Sequence, residues 1–397
     1  MHNPKDEINN NKSQKSWLVF LILGIFGLVG GVACVLVILL MPEEILPEID
    51  FPEIPSKVEE TKYYSRLTGL EVASADDLTA PTYCIQVPNG TDGARPQVGL
   101  DEAGVVFEAI AEAGITRFAA IFQNPSSAVI GPIRSLRIYY LQWDTPFDCT
   151  IVHAGGSDDA IAAVRSGGYK DMSENYWYMY REYNGGRAWN NLFTTSALLK
   201  QMNADWKHGN STVNGFSRMT PTEALKARVD AGVKEKLVIT KPTAEDTSKI
   251  TPQVSKINIW FGRSANFNLA YAYNAETNRY ARWYESGNPH DIYTCPKEDL
   301  GEVNPNTNCS LTQLSPSVVV AMIVEERKAW DGYHEAITTI GSGKAYIFQN
   351  GGVTVGTWSK SAVNEQIKFF DSAGKEVALI PGQTFVEAVP TYGGVEY

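Results

Sequence analysis

The sequence predicts one N-terminal transmembrane helix and two ectodomains, the first a mixed α+β or α/β domain and the second mainly antiparallel β. Three observations predict this. An uncharged run of 25 residues, Trp17–Met41, lies near the start of the 397-residue chain. The stretch from Cys149 to Gly168, "CTIVHAGGSDDAIAAVRSGG", reads as a strand, a glycine loop and a helix. From about Leu237 onward, apolar and polar residues alternate in segments separated by turn residues.

The apolar run is long enough to cross a ~30 Å hydrocarbon core at ~1.5 Å per residue. Lys12 and Lys15 precede it and Glu43 and Glu44 follow it, so residues 1–16 read as a cytoplasmic tail and the rest as extracytoplasmic, at the plasma membrane. A lipoprotein signal ending at Cys34 is the rival, but the apolar run continues past that cysteine. Gly27 and Gly31 form a GxxxG pair, a possible homodimer contact between anchors. Residues 42–62, "PEEILPEIDFPEIPSKVEETK", read as a Pro/Glu-rich linker held extended by proline and like charges. The first ectodomain is placed at 63–236 and the second at 237–397.

Within the first ectodomain, "VVFEAIAEAGITRFAAIF" reads either as helix then strand or as a hairpin turning at Ala113–Gly114, and its β-branched start favours the hairpin. After Gly131–Pro132, "RSLRIYYLQW" suits a helix beginning near Arg134. Ser157 is its successor's N-cap, with Asp158 and Asp159 in the first turn. The second ectodomain supplies strands in "KINIWF", a hairpin turning at Asn274–Asn278, a buried strand in "SVVVAMIV", a hairpin turning at Asn350–Gly352, and another in "IKFFDSAGKEVALIPGQTFVEAVP".

Net charge is −11, and no Lys/Arg run offers a phosphate-backbone surface, which argues against nucleic acid. Outside the anchor, four cysteines suit an oxidising compartment. Cys295 and Cys309 bracket a short polar segment, and pairing them leaves Cys84 with Cys149; free buried thiols are the alternative. No cysteine spacing suggests zinc, and no cofactor motif is present.

Between Tyr63 and Tyr169 every lysine is missing and the strong cations are all arginine: 66, 95, 117, 134, 137 and 165. Arginine suits burial and bidentate binding of anions. In the hairpin register a two-residue turn places Arg117 on one face with Glu108 and Glu112, diagonal to both. Arg134 and Arg137 near a helix start oppose its dipole and want an anion, from the protein or from a ligand, and Ser135 adds a hydroxyl. His153, Gly155, Gly156 and Ser157 form a strand-end glycine turn that offers backbone amides, although Asp158 and Asp159 repel phosphate there. The expected site is a cleft of Arg95, Arg117, Arg134, Ser135, Arg137, His153, Gly155, Gly156 and Ser157. It binds an anionic or polar cell-envelope ligand. Two alternatives stand beside it: a cell-wall hydrolase or lyase using Glu108, Glu112 or His153, and a scaffold that docks an envelope protein. Ligand identity, oligomeric state and the occurrence of any reaction stay open.

Several stretches together resemble the YerB-like lipoproteins of Gram-positive bacteria, a family of domains of unknown function. They are "LTGL" (Leu67–Leu70), "ARPQVGL" (Ala94–Leu100), "VFEAIAEAGITRFAAIF" (Val106–Phe122), "IGPIRSLRIYY" (Ile130–Tyr140), "VHAGGS" (Val152–Ser157), "GTWSKS" (Gly356–Ser361) and "IPGQTFVEAVP" (Ile380–Pro390). The resemblance implies an extracytoplasmic, membrane-tethered protein of two domains, and no established reaction. Two departures stand out. The family's members look lipid-anchored, whereas this chain has a full apolar span. A family stretch like "PHNLYT" appears here as "WNNLFT", with Asn190 where the histidine stands.

Overall fold

The structure is a computed structural model that describes residues 61–182, 190–232, 253–296 and 309–397. Residues Lys62–Tyr397 form one compact unit. Its centre is a ten-stranded mixed sheet. Five of these strands come from the first half of the chain: β1 (Thr82–Pro88), β2 (Val105–Glu112), β3 (Ile115–Gln123), β4 (Thr150–Val152) and β5 (Lys170–Met172). A smaller sheet follows in sequence, with β6 (Lys256–Trp260), β7 (Leu269–Asn274) and β8 (Arg279–Tyr284). The hairpin β9 (Asp291–Thr294) and β10 (Ser310–Gln313) comes next. The large sheet then resumes with β11 (Val318–Val324), β12 (Gly341–Gln349), β13 (Gly352–Lys360), β14 (Lys368–Asp371) and β15 (Thr384–Pro390), and β16 (Gly394–Glu396) completes the smaller sheet. The order across the large sheet is β14-β13-β12-β11-β15-β2-β3-β1-β4-β5.

One expectation about fold class is corrected here. The protein is mostly β and not a mixed α/β or α+β protein: strand is 41% and helix 16%, with four short α-helices among the described residues, all before Leu237. The strand–glycine–helix reading at Cys149–Gly168 is locally present, as β4 and the helix α2 (Asp158–Arg165), but β4 joins a sheet dominated by hairpins. The later strands pair antiparallel with one another, as expected, except that β15 runs parallel to β11 on one side and to β2 on the other. That strand fuses the halves of the chain into one sheet. It is apolar on both faces (Phe385, Val386, Ala388, Val389), as a strand covered on both sides must be.

The expected transmembrane helix has no support among the described residues. Among the described residues no helix is long and apolar enough to cross a membrane. Trp17–Met41, Gly27, Gly31, Cys34 and the linker lie outside the described residues.

Both faces of the large sheet are covered. One packs on α1 (Ile138–Asp144), where Tyr139, Tyr140, Leu141 and Trp143 meet Val105, Phe107, Ala109, Val320 and Val386. Phe107 and Trp143 stack with centroids 5.4 Å apart; burying such rings contributes about 1.5–3 kcal/mol each. The other face carries two apolar cores. One lies under β1, β3 and α3 (Ser196–Trp206), with Phe118, Phe122, Leu199 and Met202. The other is shared with the small sheet, through Ile257, Ile259, Tyr271 and Tyr280 against Val319, Ala321 and Val389.

The structure joins Cys84 to Cys149 and Cys295 to Cys309. The first ties β1 to the residue before β4; the second closes the β9–β10 hairpin.

Candidate functional site

A single irregularity decides how the charges are shared out. The hairpin β2–β3 turns at Ala113–Gly114, both at positive φ (52° and 75°), and Glu112 faces Ile115. A regular ladder would then put Ile110 opposite Arg117. Instead a β-bulge between Ile110 and Glu112 shifts the register by one, so Ala109 faces Arg117 and Glu108 faces Phe118. Because side chains alternate, a one-residue slip sends everything beyond it to the opposite face. Glu112 and Arg117 stay together on the α1 face. Glu108 is sent to the other face, and the expectation that it shares a face with Arg117 is corrected.

On the α1 side, one carboxylate serves two guanidiniums. Arg117 Nη2 donates to Glu112 Oε1 at 2.8 Å, and Arg137 Nη2 donates to Glu112 Oε2 at 2.6 Å. Arg117 Nη1 also donates to the Ser135 carbonyl and Arg137 Nη1 to that of Leu136, each at 2.9 Å. Both arginines are 4% exposed. Burial works to raise the Glu112 carboxyl, and Arg117 and Arg137 overcome it, holding it below the usual carboxylate range. A carboxylate so held does not act as a general acid near neutral pH.

Arg134 completes the group. Its backbone is fixed, its N–H donating to the Gln86 carbonyl at 2.8 Å and its carbonyl accepting from Ala154 at 3.0 Å. Its half-buried guanidinium has no hydrogen bond or ion pair among the described residues. Burial, then the neighbouring Arg117 and Arg137, lower its affinity for its own proton. The expected helix starts only at Ile138, so Arg134 and Ser135 lie in an extended segment and Arg137 is the helix N-cap. Their proximity comes from that segment and the bulge, and not from a shared helical face.

The glycine turn sits against the same segment, and one of its amides is used within the protein. Leu136 N donates to the Gly155 carbonyl at 3.0 Å, and Ser157 N donates to the Leu136 carbonyl at 3.1 Å. The Ser157 amide is therefore spent inside the protein. A Cβ on Gly156 would meet Leu136 O and Ile161 at 3.0 Å, which is why glycine stands there, while space over Gly155 is open. His153 is fully buried, with Nδ1 2.7 Å from the Gly155 carbonyl and Nε2 2.8 Å from Asp171 Oδ1. Both ring nitrogens are engaged, so the ring braces β5 against the loop and leaves no lone pair for a metal or a substrate proton. Among the described residues no cluster of metal-ligating side chains occurs.

Glu108 belongs to a second cluster, sealed between the two cores of the opposite face. It is paired in register with Glu387 on β15, and both are 0% exposed. The cation between them is Arg282, which alternation on β8 points inward between Tyr280 and Tyr284. Arg282 Nη2 is bonded to Glu108 Oε2, Nε donates to Tyr271 Oη at 3.0 Å, and Tyr271 Oη is bonded to Glu387 Oε1. Arg282 Nη1 meets His290 Nδ1, which puts the imidazole proton on Nε2, 3.0 Å from Gln97 Oε1. Asn89 Nδ2 donates to Glu108 Oε1 at 3.0 Å, and Arg95 Nε donates to Asn89 Oδ1 at 2.9 Å. Arg95 also lies over the Tyr284 ring, 3.8 Å from its centroid.

Burial and the adjacent Glu108 push the Glu387 carboxyl well above its ordinary value, against the pull of Arg282. Glu387 is therefore the protonated partner of the pair. This network has no opening for a substrate, and Arg95 and Glu108 stand apart from Arg117, Arg134 and Arg137. Sequence reasoning missed Arg282 and Glu387. A signal for Arg282 exists: in "RYARWY" a cation occupies an inward position of an alternating strand.

The fold and these two clusters define a class: a mainly β protein with a sealed ionic seam and an arginine-rich cluster at the carboxyl end of β2, with no catalytic constellation among the described residues. Comparison gives the family. Residues 67–209 match the model described as the N-terminal domain of "Protein of unknown function (DUF3048)", and residues 257–386 match that of its C-terminal domain. The chain is 28% identical over 331 residues to the "Putative lipoprotein YerB" of Bacillus subtilis, covering 83% of this chain and 87% of that protein. The crystal structure of Bacillus subtilis YerB superposes with a TM-score of 0.64 at 21% identity, over 85% of this chain and all of that one, a likeness of fold. The chain belongs to the YerB-like family.

Proposed function

We propose that this is an extracytoplasmic, membrane-associated binding protein that takes an anionic ligand at Arg134, with Arg117 and Arg137 supplying the surrounding field. One observation carries the reading: Arg117 and Arg137 share the Glu112 carboxylate, and beside them the guanidinium of Arg134, which feels the charges of Glu112 and Asp92, makes no hydrogen bond or ion pair among the described residues. Cations gathered in a partly dehydrated place repel one another, and an arriving anion relieves that cost. The two disulfides and the similarity to a protein described as a lipoprotein support a location outside the cytoplasm. The hydrolase alternative is weakened by its own residues: Glu108 is sealed in the core, Glu112 is held ionised by two arginines, and His153 has both nitrogens engaged.

Thermal unfolding of the full-length chain in detergent, against phosphate, pyrophosphate and dicarboxylates, tests the reading. An anion at 100 times its Kd adds about 2.7 kcal/mol and raises Tm by roughly 3–4 °C. The shift should vanish in Arg134→Ala. A shift that survives this substitution would place the anion elsewhere.

A further inference from the structure

We infer that the ligand is a carbohydrate bearing an acidic substituent, with the acid at Arg134 and a sugar ring packed on Trp330 and Tyr333. This rests on the anion reading above and adds the class of molecule that carries the charge.

The strands β2, β11 and β15 are parallel, so their carboxyl ends lie together. The chain leaves β11 into a hairpin, Glu326–Lys328 paired with Glu335–Ile337. At its tip Trp330 is 81% exposed and Tyr333 58% exposed. The turn does not depend on those rings. Asp331 Oδ1 accepts from the amides of Tyr333 and His334 at 2.9 Å, Asp331 Oδ2 lies 2.5 Å from His334 Nδ1, and Ala329 N donates to the His334 carbonyl at 2.9 Å. Two large aromatic faces are thus displayed on a turn that polar groups hold, a costly arrangement for a surface with no partner.

The turn and the arginines meet at one residue. Glu112 forms a backbone bridge with His334, while its carboxylate holds Arg117 and Arg137. Charge tells which part of a ligand goes where. On the hairpin, Glu335 is paired with Lys328, Asp331 with His334, and Glu326 with Tyr392 Oη at 2.6 Å. Arg327 on the hairpin is exposed and Arg134 is half-buried beside two further guanidiniums, and neither has an ion pair among the described residues; the crowded, partly dehydrated Arg134 therefore takes the acid. The rings then face the uncharged part. Pyranose rings present flat C–H faces that pack on aromatic rings, with hydroxyls left over for charged neighbours such as Asp331 and Lys328. An acyl chain would want continuous apolar surface, which those charged neighbours interrupt.

The test is calorimetric titration of the full-length chain in detergent with phosphate, acetate, glucose, glucose 1-phosphate, glucuronate and an acidic pentapeptide. The expected result is that glucose 1-phosphate binds roughly tenfold tighter than phosphate, while glucose alone does not bind. Trp330→Ala, at a position whose side chain supports nothing, should erase that advantage and leave phosphate affinity unchanged. A matching gain for glucuronate over acetate would assign a carboxylate-bearing glycan; a gain for the phosphate ester only would assign a phosphorylated one. Equal affinities for phosphate and glucose 1-phosphate would overturn this inference and leave the anion site standing, as would tight binding of the peptide without the sugar. Failure of every anion to bind, or binding unaffected by Arg134→Ala, would remove the anion site itself.

Discussion

Glu108 and Glu387 stand side by side, in register on parallel strands and with neither exposed to solvent, and share a single cation, Arg282. Two carboxyls and one guanidinium balance only if one carboxyl keeps its proton. Burial and Glu108 raise Glu387 well above the ordinary value, which names it as the holder. A folded-state pKa above the unfolded value of ~4.3 means the contribution is fully present below about pH 4.3 and is lost as pH rises toward the folded pKa. Glu387→Gln mimics the protonated form. We expect wild type to lose stability relative to Glu387→Gln on going from pH 5 to pH 8, by at most about 1.4 kcal/mol per pH unit. Urea unfolding at several pH values measures this, and parallel curves for the two proteins would refute it.

Arg282 joins the small sheet to the large one through this seam. Removing one partner from a buried ion network leaves charge unpaired, at a cost of about 3–5 kcal/mol. Arg282→Leu should destabilise by that amount in urea. Adding Glu108→Gln should recover part of the loss, because the stranded carboxylate is then gone. If the double variant is no better than the single one, Glu108 is not the group that Arg282 neutralises.

How much of this was legible in the sequence depended on periodicity staying regular. The β2–β3 hairpin and its turn followed from residue types at Ala113–Gly114. The pairing of Arg117 with Glu112 was within reach of that reading, but the bulge near Ala111 was not, and it alone separates Glu108 from the arginines. An apolar run such as "TFVEAVP" announces a buried strand without saying which neighbours it takes, so the parallel placement of β15 between β11 and β2 was hidden. The long-range partners of Arg282 were hidden for the same reason: Glu108 lies 174 residues away. Arg134 was read as a candidate because its type and company suggested an anion, even though the helix expected to carry it starts four residues later.

The two disulfides should differ in weight. Cys84–Cys149 spans 65 residues and Cys295–Cys309 spans 14. In the chain-entropy model these correspond to about 4 and about 3 kcal/mol. Cys84→Ala with Cys149→Ala should therefore lower the urea midpoint more than Cys295→Ala with Cys309→Ala. The reverse order would show that strain or residual unfolded structure outweighs loop length.

Burial, then the charge of Glu335, pushes Glu326 up to about 7, with Tyr392 and Lys328 pulling the other way. Glu326 stands at the foot of the Trp330 turn. As pH falls through about 7 it takes up a proton and one negative charge leaves the neighbourhood of the site. Anion affinity should rise between pH 8 and pH 6, and Glu326→Gln should flatten that rise. An unchanged pH profile in the variant would assign the dependence to another group.

The central claim, that Arg134 is held ready for an anion, is tested most directly by titrating pyrophosphate into wild type and Arg134→Ala in the calorimeter. Since this guanidinium makes no hydrogen bond among the described residues, the substitution should change stability by no more than about 0.5 kcal/mol. We predict saturable binding in wild type and a loss of at least about tenfold in a variant that melts as wild type does. Identical isotherms for the two proteins, or a variant that no longer folds, would contradict the claim and make Arg134 a structural brace.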